Sequence, residues 1–124
     1  MRTITTHHDG LGLNDLLGLI SHERDPKAGN ASHEYRGEID GSPVLAIQFQ
    51  HGARTNADSI PGCLEGAVIT VLIDRLDGMQ AGPFACPEND LALAHLRNAR
   101  AIITDRAARR RAQGVLGKDA AHKS

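Results

Sequence analysis

A chain of 124 residues with a formal net charge of −1 is the size of one domain. It lacks the overall positive charge that draws proteins to long nucleic acids or anionic membranes. Hydrophobic residues make up 40% and only Tyr35, Phe49 and Phe84 are aromatic, so any core rests on Leu, Ile, Val and Ala. Self-association would add burial to a core of that kind.

Residues 1–31 are rich in Gly, Asp, His and Asn and read as a loop-rich extension, in which Leu16 to Ile20 suits a short strand or one helical turn, the strand being favoured. Asp25 to Asn30 is a loop by its turn residues. A hairpin follows. Ser32 to Ile39 reads as one strand, Asp40-Gly41-Ser42-Pro43 as the turn and Val44 to Gln50 as the second strand. Alternation puts Leu45, Ile47 and Phe49 on the core face.

After a polar loop over His51 to Ser59, Pro61-Gly62 marks the approach to a helix from Cys63 to about Asp77. Leu64, Val68, Val71, Leu72 and Arg75 keep helical spacing, and Ile69, Ile73 and Leu76 widen the stripe. A helix apolar over so much of its girth is expected to be buried on more than one side. Gly78 and Gly82-Pro83 interrupt the chain. Pro87 then opens the last helix, with Glu88 and Asp90 at its positive end and Arg109, Arg110 and Arg111 near its negative end. Running to about Gln113, where Gly114 stops it, this helix would be about 40 Å long. The architecture expected is therefore α+β: a small antiparallel β core built on the hairpin, then two C-terminal helices, the last one long. Residues 1–118 form a single domain and 119–124 a frayed tail.

Alternating steps of three and four along the last helix give the stripe Asn89, Ala92, Leu96, Ala99, Ile103, Arg106, Arg110. Its small and aliphatic middle suits close approach of another helix. Its end carries two guanidinium groups one turn apart, a fork that matches phosphate. Arginines in a last turn also complement the helix dipole as a plain solvated end, and a first-turn Asn is commonly a local capping group. Spacing alone leaves both readings open.

No other constellation carries chemistry. His7-His8-Asp9 is followed by no ligand set of workable spacing, and His22-Glu23 and His33-Glu34 lack the second histidine of a zinc-protease helix. A zinc site from Cys63, Cys86, His51 and His95 has no spacing to recommend it. There is no dinucleotide fingerprint, phosphate loop or nucleophile elbow. The chain is expected to be no enzyme, to need no cofactor and to hold no metal. The two cysteines form neither a CxxC pair nor a disulfide framework, which suits a reducing compartment. No secretory signal is visible, and the apolar stretch from Ala67 to Ile73 is too short to span a bilayer. A cytoplasmic protein is the expectation.

Three segments resemble one phage family. They are Ile47-Gln48-Phe49-Gln50-His51-Gly52, then the block from Ile73-Asp74-Arg75-Leu76 through Gly82-Pro83-Phe84-Ala85-Cys86-Pro87-Glu88-Asn89, and last Arg106 and Arg110 followed by Gly114-Val115-Leu116-Gly117. Over residues 44–118 the chain is similar to the first-described class of Thoeris anti-defence proteins. The resemblance implies an N-terminal antiparallel β core with C-terminal helices that build dimers and larger assemblies such as hexamers. It implies a sponge that binds glycocyclic ADP-ribose signals without cleaving them and takes cyclic di- or trinucleotides at a separate arginine-rich site. Carried over by residue, it places Met79 and Asn89 in the ADP-ribose-type pocket, and Arg106 and Arg110 at the cyclic oligonucleotide phosphates. Met79 stands where the family pattern usually has Phe, and Gln113 replaces a usual Arg. A thioether can still pack on a purine face. The alternative reading of the same arginine-rich helix is nucleic-acid binding, which would show strong salt dependence. Destruction of the signal by a phosphodiesterase would need a catalytic set that the sequence does not display.

Overall fold

The structure is a computed structural model that describes residues 1–7 and 17–113. The expected stop at Gly114, the Gly114-Val115-Leu116-Gly117 ending, the frayed tail and His8-Asp9 lie outside the described residues. The fold is α+β, a four-stranded antiparallel sheet followed by two helices, the second long. The chain divides into two compact units, Met1–Gly62 and Cys63–Ser124.

The first unit is a meander of β1 (Arg2–Ile4), β2 (Leu17–Ser21), β3 (Glu34–Ile39) and β4 (Ser42–Gln48), each strand beside its chain neighbour. Two of the four strands thus come from the segment read as a loop-rich extension. β2 lies one residue beyond its expected span. β1 was not foreseen, because three residues are too few to show a period.

The tightest turn is Asp40-Gly41. Both residues have positive φ, 49° and 77°, the backbone of a two-residue hairpin whose twist matches that of its strands. The turn is only those two residues, so β4 begins at Ser42 and takes in Pro43. Pro43 pairs with Glu38 beside a register shift at Gly37/Glu38. A proline is tolerated there because β4 is an edge strand and the shift relaxes the ladder.

Cross-strand partners share a face. Ile4, Leu19 and Gly37 are in line across β1 to β3, as are Leu17 with Ile39 and Tyr35 with Ile47. This apolar face is the one expected of Leu45, Ile47 and Phe49. Gly37 sits at its centre: a Cβ there would lie 3.2 Å from Leu17 Cδ1 and 3.2 Å from Leu45 Cβ. Two leucines occupy the space that a side chain would need. Phe49 meets Tyr35 edge-on, with ring centroids 5.7 Å apart, a favoured aromatic geometry. The opposite face carries Thr3, Arg36 and Gln48.

Near the start of the sheet the buried atoms are polar. Ser21 and Ser32 are 1% and 4% exposed. Ser32 Oγ donates to the His22 carbonyl at 2.8 Å and accepts from Arg2 Nη2 at 3.0 Å. Those bonds offset the desolvation of the hydroxyl and tie β1 to the segment entering β3.

The second unit is a hairpin of α1 (Glu65–Gln80) and α2 (Pro87–Ala112). α1 begins two residues after the expected start and runs three beyond the expected end. Gly78 is absorbed into the helix, and Gly82-Pro83 ends it, because proline disfavours helical backbone in the residue before it. The helices run antiparallel: Arg97 Nη2 donates to both carboxylate oxygens of Asp77, at 2.7 and 2.9 Å, and Arg100 Nη1 donates to Thr70 Oγ1 at 3.2 Å. Ile73 on α1 and Leu93 on α2 are buried.

Burial of α1 on more than one side is not what the structure has. Val71 is 67% and Leu72 45% exposed. On α2, Leu91 and Ile102 are exposed as well. Among the described residues no helix is long and apolar enough to cross a membrane.

Candidate functional site

The segment between the helices is built by hydrogen bonds to its own backbone. The last carbonyls of α1 are taken: the Ala81 amide bonds to Asp77 and Gly78, and the Gly82 amide to Met79 at 3.1 Å. The Gln80 side chain then clasps Cys86 from both sides. Its Oε1 accepts the Cys86 amide at 2.9 Å and its Nε2 donates to the Cys86 carbonyl at 2.9 Å. One amide side chain thus fixes the chain entering α2, where Pro87 supplies the first helical residue.

Asn89, in the first turn of α2, donates through Nδ2 to the Phe84 carbonyl at 3.3 Å. Beside this turn lies an open cleft of about 620 Å³, within the size range of small-molecule sites. α1 supplies Val71, Asp74, Arg75, Gly78 and Met79 to its wall, and the turn supplies Gly82, Pro83 and Phe84.

Of the residues singled out in the sequence, Met79 lines this cleft. Asn89 acts on it through the backbone of Phe84, which makes it a brace of the turn. Arg106 and Arg110 are elsewhere, one turn apart in the last part of α2, with Arg106 exposed and Arg110 half-buried. The structure therefore joins Met79 and Asn89 around one turn and keeps the arginine pair separate. Seventeen helical steps, about 25 Å, separate Asn89 from Arg106. Asp105 binds Arg109 at 2.7 Å, so that guanidinium already has a counter-charge.

Sequence reasoning left Asp74, Arg75 and Phe84 out of the site and missed the Gln80 clasp. Phe84 had a signal: an aromatic between Gly-Pro and a helix start is unlike a core residue. The clasp had none, because its partners are backbone atoms.

A second cluster is confined to the first unit. His51 Nε2 lies 3.1 Å from Asp25 Oδ2, and His33 stacks on His51 with ring centroids 4.1 Å apart and planes 16° from parallel. The cluster joins the ends of two loops, each closed by an isolated antiparallel bridge, Asp25 with Ala31 and His51 with Ile60. Burial lowers the pKa of His33 from its ordinary 6.5, and the neighbouring His51 adds to this; the Ala28 carbonyl and Asp25 oppose it. The Asp25 carboxyl is held below its ordinary 3.8, first by the Lys27 amide and then by His51.

Both shifts carry the same sign in linkage. The unfolded chain binds the proton more readily than the folded one, so stability falls with acid. The His33 contribution is complete above 6.5 and is lost as the pH falls through the lower folded value. The Asp25 contribution is complete above 3.8 and is lost below it in the same way. Amide exchange over residues 51–60, corrected for intrinsic rates, should therefore accelerate as the pH drops from about 7.5 to about 5. In His33→Phe, which keeps a ring to stack but cannot take a proton, the acceleration should be smaller. An equal response in both proteins would remove His33 as the cause.

Among the described residues no group of three or more His, Cys, Asp and Glu is placed to hold a metal ion. Cys63 and Cys86 are free and half-buried. No family model and no curated protein matches the chain.

Proposed function

We propose that this protein is a non-catalytic phage anti-defence sponge that acts in the host cytoplasm, binding cyclic nucleotide immune signals and withholding them from their receptors. The observation that carries the reading is the cleft at the α1–α2 turn, lined by Met79 and braced by Asn89. These are the residues that the resemblance assigns to glycocyclic ADP-ribose. Arg106 and Arg110 form a separate anion site for cyclic di- or trinucleotides.

A sponge works by mass action: it must be abundant and bind tightly enough to lower the free signal. It needs no cofactor. The exposed Val71, Leu72, Leu91 and Ile102 favour a homo-oligomer, a dimer or an assembly of dimers, because a helical hairpin leaving that much apolar surface in water gains by covering it.

The test is to load the protein with glycocyclic ADP-ribose, a cyclic dinucleotide and a cyclic trinucleotide, remove unbound ligand, denature, and chromatograph what is released. Intact ligand is the expected result. Cleavage products, or no ligand retained from any of the three, would overturn the proposal.

A further inference from the structure

Phe84 is 74% exposed in a chain with three aromatic residues. Its backbone is held in place: the Asn89 side chain binds its carbonyl at 3.3 Å, the Ala85 amide bonds to Gly82 at 3.3 Å, and Pro83 fixes the backbone before it. An apolar ring kept in water by so many restraints is built to be covered by something.

The floor beside it is bare backbone. A Cβ at Gly78 would meet nothing within 4 Å, and one at Gly82 would approach only the carbonyls of Gly78 and Met79, at 3.7 and 3.8 Å. A flat group can therefore lie against the main chain between the Met79 thioether and the Phe84 ring.

One turn before Met79 on α1, about 6 Å along the axis, the same cleft carries Arg75 with Asp74 beside it. Both are exposed, and neither is ion-paired with another side chain among the described residues. A cleft that offers a ring face, a guanidinium and a carboxylate in that order matches a nucleotide. The base has a face to stack on, the phosphate has a fork to pair with, and the carboxylate beside that fork can accept from a ribose hydroxyl. The adjacent carboxylate also works against a bare polyphosphate, so the anion enters only with a base to anchor it.

We propose that this cleft selects a purine nucleotide in one orientation, base against Phe84 and Met79 and phosphate towards Arg75, with Phe84 providing the stacking face that Met79 lacks. The inference rests on the reading of the cleft as the ADP-ribose-type site and adds its polarity and its two principal contacts.

The chain has no tryptophan, so Phe84→Trp installs a single indole reporter in the cleft. Its emission should be quenched by glycocyclic ADP-ribose and by adenosine, and not by ribose 5-phosphate. Phe84→Ala should weaken glycocyclic ADP-ribose by about tenfold or more. Arg75→Ala should weaken it about ten- to a hundredfold while leaving adenosine unchanged. Circular dichroism checks that each variant keeps its helices. If native protein retains glycocyclic ADP-ribose and the two alanine variants retain it equally well, the orientation falls while the sponge stands. If Arg75→Ala loses adenosine as heavily as the nucleotide, Arg75 is no phosphate contact and the proposal fails. If native protein retains none of the cyclic signals, both readings fall together.

Discussion

Replacing Arg106 and Arg110 together with alanine should weaken binding of a cyclic trinucleotide by at least about a hundredfold. Each guanidinium is proposed to make charge-assisted bonds to phosphate, worth about 1.5–3 kcal/mol apiece, and two of them together reach that factor. The helical hairpin should survive. α1 has sixteen residues against twenty-six in α2, and the buried Ile73 and Leu93 lie far from the altered end. Glycocyclic ADP-ribose should still bind, since Met79 and the Asn89 brace are about 25 Å of helix away. Calorimetric titration of the double variant with each ligand decides the matter. Equal loss of both from a folded protein would disprove two sites. Retention of both would return the arginines to the role of a solvated, dipole-matched helix end.

Among the described glycines of the first unit, Gly62 should be the one where an added methyl, in Gly62→Ala, does most damage. A Cβ at this position would overlap the Phe49 carbonyl carbon and lie 2.5 Å from the Gln48 oxygen and 2.6 Å from the Phe49 oxygen. All three are main-chain atoms, so no side chain can rotate away. The segment that must move is held by the His51–Ile60 bridge, at 2.9 and 3.0 Å, and by the Gly62 amide bonded to Gln50 Oε1 at 3.2 Å. Overpacking costs about 1–3 kcal/mol where flexible side chains absorb it, and this contact with backbone should reach about 3 kcal/mol or more. The measurement is the shift in urea midpoint at unchanged m-value. A loss below about 1 kcal/mol would mean that the loop between Phe49 and Gly62 yields without resistance.

What the sequence made legible is what local chemistry decides. Asp40-Gly41 fixed the hairpin because only a few residues accept two consecutive positive φ values. Pro87 marked the start of α2 to the residue. The boundaries that slipped are those where a residue has two uses. Pro43 was read as a turn residue, yet an edge strand has room for it. Gly78 was read as a break, yet α1 runs through it to the stronger stop at Gly82-Pro83. β1 was invisible because its justification is remote: Arg2 pairs opposite Ser21 and bonds to Ser32. The candidate site followed the same rule. Met79 and Asn89 were found through resemblance, and Arg75 and Phe84 only when folding put them on one cleft.

Connectivity carries a consequence for how the protein is made. Every strand pairs with the strand next to it in sequence, and the two helices pair with each other, so no partner has to wait for a distant part of the chain. Pairings of short sequence separation close quickly, because little loop entropy is lost before a contact forms. The unit that ends at Gly62 has all its strands once that residue clears the ribosome tunnel, while the helices are still being translated. Leu72, the first exposed leucine of α1, follows ten residues later, so synthesis at about 5–20 residues per second gives the sheet about 0.5–2 s to form before it appears. The exposed apolar residues of the helices thus emerge after every strand of the first unit has its partner.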